Sequence, residues 1–338
     1  MHAPSFWWQE RGTAAALLTP LGAVYGAVAA FRLRQEGLRA GVPVVCVGNP
    51  TVGGSGKTPT ALALARLLID AGERPFLLSR GYGGRLAGPV RVDPQHHRAD
   101  DVGDEPLLLA RGAPTVIARD RVAGARIART AGASVIVLDD GFQNPALAKD
   151  LAILVIDGRR GIGNGEVFPA GPLRAPLAAQ FHRAQAVLII GNGPAGAMAA
   201  PDAQARGLTI FRGRLVPDPT TVATLAGSRV LAFAGIGDPE KFFATLRDAG
   251  IDVAIARGFP DHHHFTAGEA AALVSEAERS RLALVTTEKD FVRLAHKRAL
   301  AELAARSRVL PVALEIEEED RFRRFVLEAV AAARFKAR

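Results

Sequence analysis

The sequence predicts an α/β fold: a three-layer α/β/α domain, a second, smaller α/β domain after it, and a membrane-associating helix before it. Three observations predict this. An apolar strand runs into a glycine-rich turn and a Lys-Thr pair over residues 43–58, PVVCVGNPTVGGSGKT. Short, continuously apolar runs then alternate with helical patterns, and such strands need cover on both faces of a largely parallel sheet. Ahead of both lies an uncharged stretch of 18 residues, 14–31, flanked by Arg11 and by Arg32, Arg34 and Arg39.

The leader comes first in the chain. Its 18 uncharged residues reach the lower limit for a membrane span, but Pro20 and three alanine clusters argue for a helix lying in or against the membrane surface. In that reading Trp7 and Trp8 sit at headgroup depth and the arginines meet lipid phosphates. Residues 1–40 are therefore assigned to an amphipathic membrane-associating region.

The strand at 43–48 and its loop follow. Gly53, Gly54 and Gly56 remove side chains where backbone N–H groups must converge on phosphate oxygens, with Ser55 between them. Lys57 supplies a mobile cation, and Thr58 can place a hydroxyl on Mg²⁺. A helix opens directly behind them with its positive end toward the phosphates. This is a P-loop, as in the nucleoside triphosphate hydrolases, and it implies ATP or GTP. Thr51 stands where the usual pattern has its first glycine, and Val52 lacks the lysine that one variant class carries there.

Beyond the loop, residues 74–81, 115–118, 133–141, 151–158 and 185–190 read as strands of the P-loop domain, assigned to 41–215, with 209–215 as an exit strand or linker. A second βα series starts at 229, continues through 251–259 and 282–295, and defines a domain over 216–307. Residues 309–316, VLPVALEI, read as one further strand, and the acidic run 317–320 opens a terminal helix, so 308–338 form a return strand and C-terminal helix.

Chemistry-bearing residues gather at the ends of these strands. Asp139 and Asp140 end an apolar strand about eighty residues after the P-loop, the form of a carboxylate that reaches Mg²⁺ beside the loop threonine. Adjacent strand residues point opposite ways, so the two have different tasks. Asp104 and Glu105 lie in a polar loop, DDVGDEP. Asp104 is a candidate base for phosphoryl transfer to an alcohol, with helix capping as the competing reading. His262, His263 and His264 are consecutive and cannot easily share one ion, so one imidazole is read as orienting a carboxylate across the domain cleft. Arg80 and Tyr82, in SRGYGG, and Asn164 and Arg174, in the long Gly/Pro-rich loop 157–176 with Arg159 and Arg160, are candidate substrate contacts. Residues 286–290, TTEKD, face nucleotide or cap a helix.

Composition narrows the partners. A net charge of +8 and a pI near 10.3 fit anionic lipid, phosphorylated small molecules or nucleic acid alike. The arginines are scattered and no nucleic-acid-binding motif is visible, so nucleic acid is not expected, and no obligate protein partner is inferred. The single cysteine, Cys46, excludes a disulfide framework.

The ordered set VGNPTVGGSGKTP, SRGYGG, VGDEP, VLDDGFQN, GNGEVFPAGPLRAP, FPDHHHF and TTEKD, with the aromatic leader, resembles the tetraacyldisaccharide 4'-kinase (lipid A 4'-kinase) family of Gram-negative bacteria along almost the whole chain. The resemblance implies ATP-dependent phosphorylation of the 4'-hydroxyl of a tetraacylated glucosamine disaccharide 1-phosphate, giving lipid IVA. It also implies a peripheral enzyme on the cytoplasmic face of the inner membrane, acting on a membrane-embedded glycolipid at an anionic surface. By position, Lys57 would neutralise phosphate, Thr58 with Asp139 or Asp140 would organise Mg²⁺, and Glu105 would serve the metal or nucleotide environment. Asp104 would accept the hydroxyl proton with His262, and Arg80 would receive the 1-phosphate. Gln143-Asn144 departs from the family's usual Gln-His. The competing class, a membrane-associated P-loop ATPase or GTPase regulating partner proteins, would need guanine-recognition or extra-lysine signatures that the sequence lacks.

Overall fold

The computed structural model describes residues 4–295 and 297–336. Two sheets carry the chain. The larger has nine strands in the order β13-β8-β7-β6-β1-β5-β2-β4-β3. Its central members are β1 (Val44–Gly48), β2 (Pro75–Ser79), β4 (Thr115–Ile117), β5 (Val135–Asp139), β6 (Leu151–Asp157) and β7 (Ala186–Ile190), with the two-residue β3 (Val90–Arg91) at one edge. β8 (Thr209–Pro217) lies parallel to β7, and the short β3 runs antiparallel to β4. The smaller sheet is parallel throughout, in the order β10-β9-β11-β12, from β9 (Arg229–Ala234), β10 (Asp252–Gly258), β11 (Ala283–Thr287) and β12 (Ser307–Leu310).

The two-residue period of a strand explains why the runs are apolar throughout. Val44 and Cys46 of β1 point into one core with Leu138, Leu154 and Phe181, whereas Val45 and Val47 point into the opposite core with Leu64, Leu68, Phe322 and Val326. The helix Lys57–Asp70 and the C-terminal helix Glu319–Lys336 cover that second face. β1 is flanked by β5 and β6, so the loop that leaves its carboxyl end emerges at the middle of the sheet, where open α/β sheets bind ligands.

Three sequence expectations are corrected by the fold. Residues 309–316 form two strands in different sheets: β12 closes the small sheet, and β13 (Val312–Ile316) pairs antiparallel with β8 at the edge of the large one. Pro311 separates them because it has no N–H to continue a ladder. The chain thus passes between the sheets twice, after β8 and at Pro311, and Asp218 N–H donates to Pro311 O at 2.9 Å beside that point. The polar stretch around Asp104 is helical rather than a loop: a short helix Ala99–Val102 gives way at Gly103 to the helix Asp104–Gly112.

The third correction concerns the leader. The helix Thr13–Arg34 is continuous through Pro20 and is not amphipathic in the usual sense, because both its faces are apolar. Its inner face is small: Ala15 is buried, Gly22 and Gly26 lie on the 167–176 loop, and a methyl at Gly22 would come within 2.8 Å of Val167 O. Its outer face carries Leu17, Leu21, Val24, Val28 and Phe31, with Leu17 81% exposed. By length and composition the helix could cross a membrane, and only 17% of its most apolar window is buried. Trp7 does not face outward. It is buried, donates Nε1–H to Pro169 O at 3.0 Å, and packs edge-on against Phe168, so it fastens the leader to the domain. Trp8 is half-buried beneath the Arg160 guanidinium.

Candidate active site

The loop after β1 is held open by its own polar side chains. Gly53 and Gly56 take left-handed backbone angles (φ 112° and 94°), which side-chain-bearing residues avoid, and a methyl at Gly53 or Gly54 would meet nothing within 4 Å. The buried Asn49 donates its amide to Thr51 O and Gly53 O at 2.6 and 3.0 Å. Its Oδ1 accepts from Lys57 Nζ at 3.1 Å. Behind it, Gln143 donates to Asn49 O, and Gln180 donates to Pro50 O and Ala175 O. Burial lowers the pKa of Lys57, while the nearby Asp140 charge opposes that shift.

Asp139 and Asp140 occupy different surroundings. Asp140, with φ 52°, has left the strand; it accepts from Arg174 at 3.0 and 3.4 Å and lies 3.7 Å from Lys57 Nζ. Asp139 ends β5 with both carboxylate oxygens buried and without a hydrogen-bond partner. Burial, with the negative charges of Glu105 and Asp140, pushes its pKa up to about 7. A buried carboxylate with no hydrogen-bond partner suits a divalent cation, whose charge would satisfy it. Among the described residues no cluster of three or more His, Cys, Asp or Glu is grouped to hold a metal by itself.

Across the cleft, the small-sheet domain surrounds Asp104. Its Oδ1 accepts from Glu105 N–H at 2.8 Å; its Oδ2 accepts from Arg293 Nε at 2.7 Å, from Arg293 Nη2, and meets His262 Nδ1 at 3.2 Å. Burial alone would raise the Asp104 pKa, but the His262 hydrogen bond and the charges of Arg293 and Lys289 override it and hold the carboxyl well below the usual range. The Asp104 bond raises the His262 pKa. His262 takes a left-handed backbone angle (φ 57°), donates N–H to Gly235 O at 3.1 Å, and stands 5.2 Å from the Tyr82 ring.

The histidine run divides its labour. His263 bonds Glu269 at 3.0 Å and stacks on Phe259, and His264 is exposed near Asp100. TTEKD also resolves into tasks: Thr287 caps its helix by accepting from Asp290 N–H, Lys289 pairs with Glu105 at 2.5 Å, and Asp290 accepts from Arg293 and from Gly235 N–H.

The other sequence candidates fall into three places. Arg80 and Tyr82 are exposed, and Tyr82 borders the cleft beside the His262 ring. Arg174 lies against the loop after β1, its Nε donating to Thr51 O at 2.9 Å. Asn164 is turned inward, donating to Ala170 O at 3.0 Å and accepting from Glu166 N–H, so its amide braces the loop under the N-terminal helix rather than facing a substrate. Glu105 is paired with Lys289 of the small-sheet domain, whereas Asp139 has no hydrogen-bond partner.

Sequence reasoning missed Asn49, Gln180 and Arg293. Asn49 could have been found as a polar residue closing an apolar strand. Arg293 stands three residues after Asp290 on one helix face, amid apolar neighbours, and that position was its signal.

A family model described as Tetraacyldisaccharide-1-P 4'-kinase matches residues 14–331. Relatives called tetraacyldisaccharide 4'-kinase include one from Rhodopseudomonas palustris (strain BisB5), 56% identical over 99% of both chains. Another, from Bradyrhizobium sp. (strain BTAi1), is 54% identical over 99% of this chain and 97% of its own length. The crystal structure of LpxK from Aquifex aeolicus in complex with ATP superposes with a TM-score of 0.70 at 26% identity, covering 94% of this chain and 99% of that one.

Proposed function

The chain belongs to the tetraacyldisaccharide 4'-kinase family, and on that premise we propose how its residues transfer the γ-phosphoryl group of ATP to the 4'-hydroxyl of a tetraacyldisaccharide 1-phosphate, forming lipid IVA. One observation supports the assignment of roles above the rest. A phosphate loop from the large-sheet domain and a buried carboxylate–imidazole pair spanning both domains line the same cleft, and Glu105 and Lys289 lie between them.

Backbone N–H groups of 53–58 hold the β- and γ-phosphates, and Lys57 exchanges Asn49 and Asp140 for phosphate oxygens. Thr58 and Asp139 would hold Mg²⁺, which when bound neutralises developing charge on the phosphates. Asp140, tied to Arg174, fixes the loop. Arg293 and Lys289 keep Asp104 ionised, so His262 Nδ1–H donates to it and the other ring nitrogen, Nε2, is the basic one. The 4'-hydroxyl oxygen attacks the γ-phosphorus, its proton passes to the Asp104–His262 pair and rests on Nε2, and ADP leaves. Arg80 and Tyr82 face the sugar 1-phosphate side.

The N-terminal helix brings this cleft to the cytoplasmic face of the inner membrane. A tetraacylated substrate leaves the bilayer at a cost of about 0.8 kcal/mol per exposed methylene, so the enzyme must go to the lipid. Its outward Leu17, Val24, Val28 and Phe31 meet the acyl region. The deciding experiment incubates the purified protein with γ-labelled ATP, Mg²⁺ and the tetraacyl disaccharide phosphate in detergent, then extracts the lipid. Label in the organic phase is expected; label released only as inorganic phosphate would make the protein a hydrolase and sink the assignment.

A further inference from the structure

Five charged side chains join the two domains outside the site just described. Asp157, at the end of β6, accepts from the N–H groups of Arg159 and Arg160 at 2.9 and 3.1 Å and from Lys241 Nζ of the small-sheet domain at 2.7 Å. In the reverse direction Asp238 of the small-sheet domain accepts from the Arg159 guanidinium and lies 3.3 Å from Arg160 Nη2. Arg160 Nη1 also donates to Gly237 O at 3.3 Å. The two carboxylates are only 7% and 8% exposed, while their cationic partners reach solvent, so salt screens these pairs less than it screens pairs with both members on the surface.

The segment they hold, 235–238, reaches both halves of the active site. A methyl at Gly237 would stand 3.2 Å from Gly54 N and 3.3 Å from Asp261 Oδ2, so this backbone passes directly over the phosphate loop. Gly235 O accepts from His262 N–H and from Arg293 Nη1, and Gly235 N–H donates to Asp290. These hydrogen bonds tie the position of 235–238 to those of His262 and Arg293.

We infer that Arg159 and Arg160 are positioning residues for the phosphoryl transfer: with Asp157, Asp238 and Lys241 they form an interdomain clasp that seats 235–238 over the phosphate loop and thereby sets His262 against Asp104. The clasp carries no chemistry of its own. It determines how often the two domains present a complete site. This rests on the kinase reading above for its catalytic consequence, but the clasp itself is a statement about domain separation.

Its test measures that separation directly. Cys46 is fully buried, and burial pushes its thiol pKa up to about 12, so Asp70→Cys and Arg279→Cys, on exposed helix positions of the two domains, can be spin-labelled selectively. Distance distributions are compared for the wild-type background, Arg159→Ala/Arg160→Ala, Asp238→Asn, and all three substitutions together. The clasp predicts a broader, longer distribution in the double variant and in Asp238→Asn, no further change when they are combined, and a kcat lowered about tenfold, the scale of one charge-assisted hydrogen bond. Unchanged distances in both, or effects that add when combined, overturn it, because additivity means that the residues do not act through each other. Asp238→Asn alone keeps the shape of the side chain and guards against misfolding of the double variant. Failure of the wild-type protein to phosphorylate lipid would overturn the kinase reading and leave the distance measurement still able to decide the clasp.

Discussion

Asp104 sits in a buried ion pair whose partner comes from the other domain. Replacing it with Asn leaves the Arg293 guanidinium with Asp290 as its one carboxylate, in a site where the Arg293 and Asp104 side chains are each 4% exposed. Breaking such a pair costs about 3–5 kcal/mol. We therefore expect Asp104→Asn to lower kcat by about 10²–10⁴-fold, the usual range for a lost acid–base group, and also to lower the unfolding midpoint, while Mg-ATP binding persists. Turnover near the wild-type rate would remove Asp104 from the chemistry. The imidazole gives a second, independent readout. Its pKa is raised above the ordinary 6.5 by the bond to Asp104, so the pair's contribution to stability is complete below 6.5 and is lost as pH rises through the raised value. NMR titration of His262 should show this elevation and its disappearance in Asp104→Asn; an unchanged His262 titration in that variant would break the link. These residues differ in how far the sequence exposed them. Lys57, Thr58, Asp104 and Asp139 stand in local patterns whose spacing is itself the signal. Arg293 meets Asp104 across 189 residues of chain, and no local pattern records such a meeting.

Among the elements, the strands were the most legible, because continuous apolar runs of β-branched residues bounded by Gly and Pro leave few alternatives. The helix after Asp104 was legible from Pro106 onward but its first turn was not, since that turn is polar and begins only after Gly103 resets the chain with φ 92°. The N-terminal helix was legible in extent and misleading in polarity. Its uncharged composition was plain, but which face turns inward was set by Gly22 and Gly26, whose lack of side chains lets Val167 and Pro176 approach. Size, not polarity, separates its two sides. That division can be tested without touching the active site. Val24→Asp with Val28→Asp places two charges on the outer face, 68% and 58% exposed in the wild type. We expect the fold, judged by circular dichroism, and ATP binding to be preserved while the fraction sedimenting with vesicles falls by about tenfold or more, given roughly 2.5–3.5 kcal/mol per buried charge at full depth and less at the interface. Equal sedimentation of variant and wild type would show that this face does not contact lipid.

At the scale of the whole molecule, the alternation of apolar strands and helices announced two α/β units, and the assignment of 309–316 to a single strand hid how they are joined. Pro311 was visible, but whether a proline ends a strand or merely bends the chain depends on which sheet edge has a vacancy, and that is fixed by β8, almost a hundred residues earlier. The two passages between the sheets, after β8 and at Pro311, are neighbours in space through the β8–β13 pair. A body tethered at two adjacent points can swing about the line through them, whereas sliding and spinning strain both tethers at once. A swing about that line would carry His262 relative to Asp104 and Gly237 relative to Gly54 along one coordinate. Such a swing would complete the carboxylate–imidazole pair and cover the loop in one movement, leaving no half-built chamber in which water could compete.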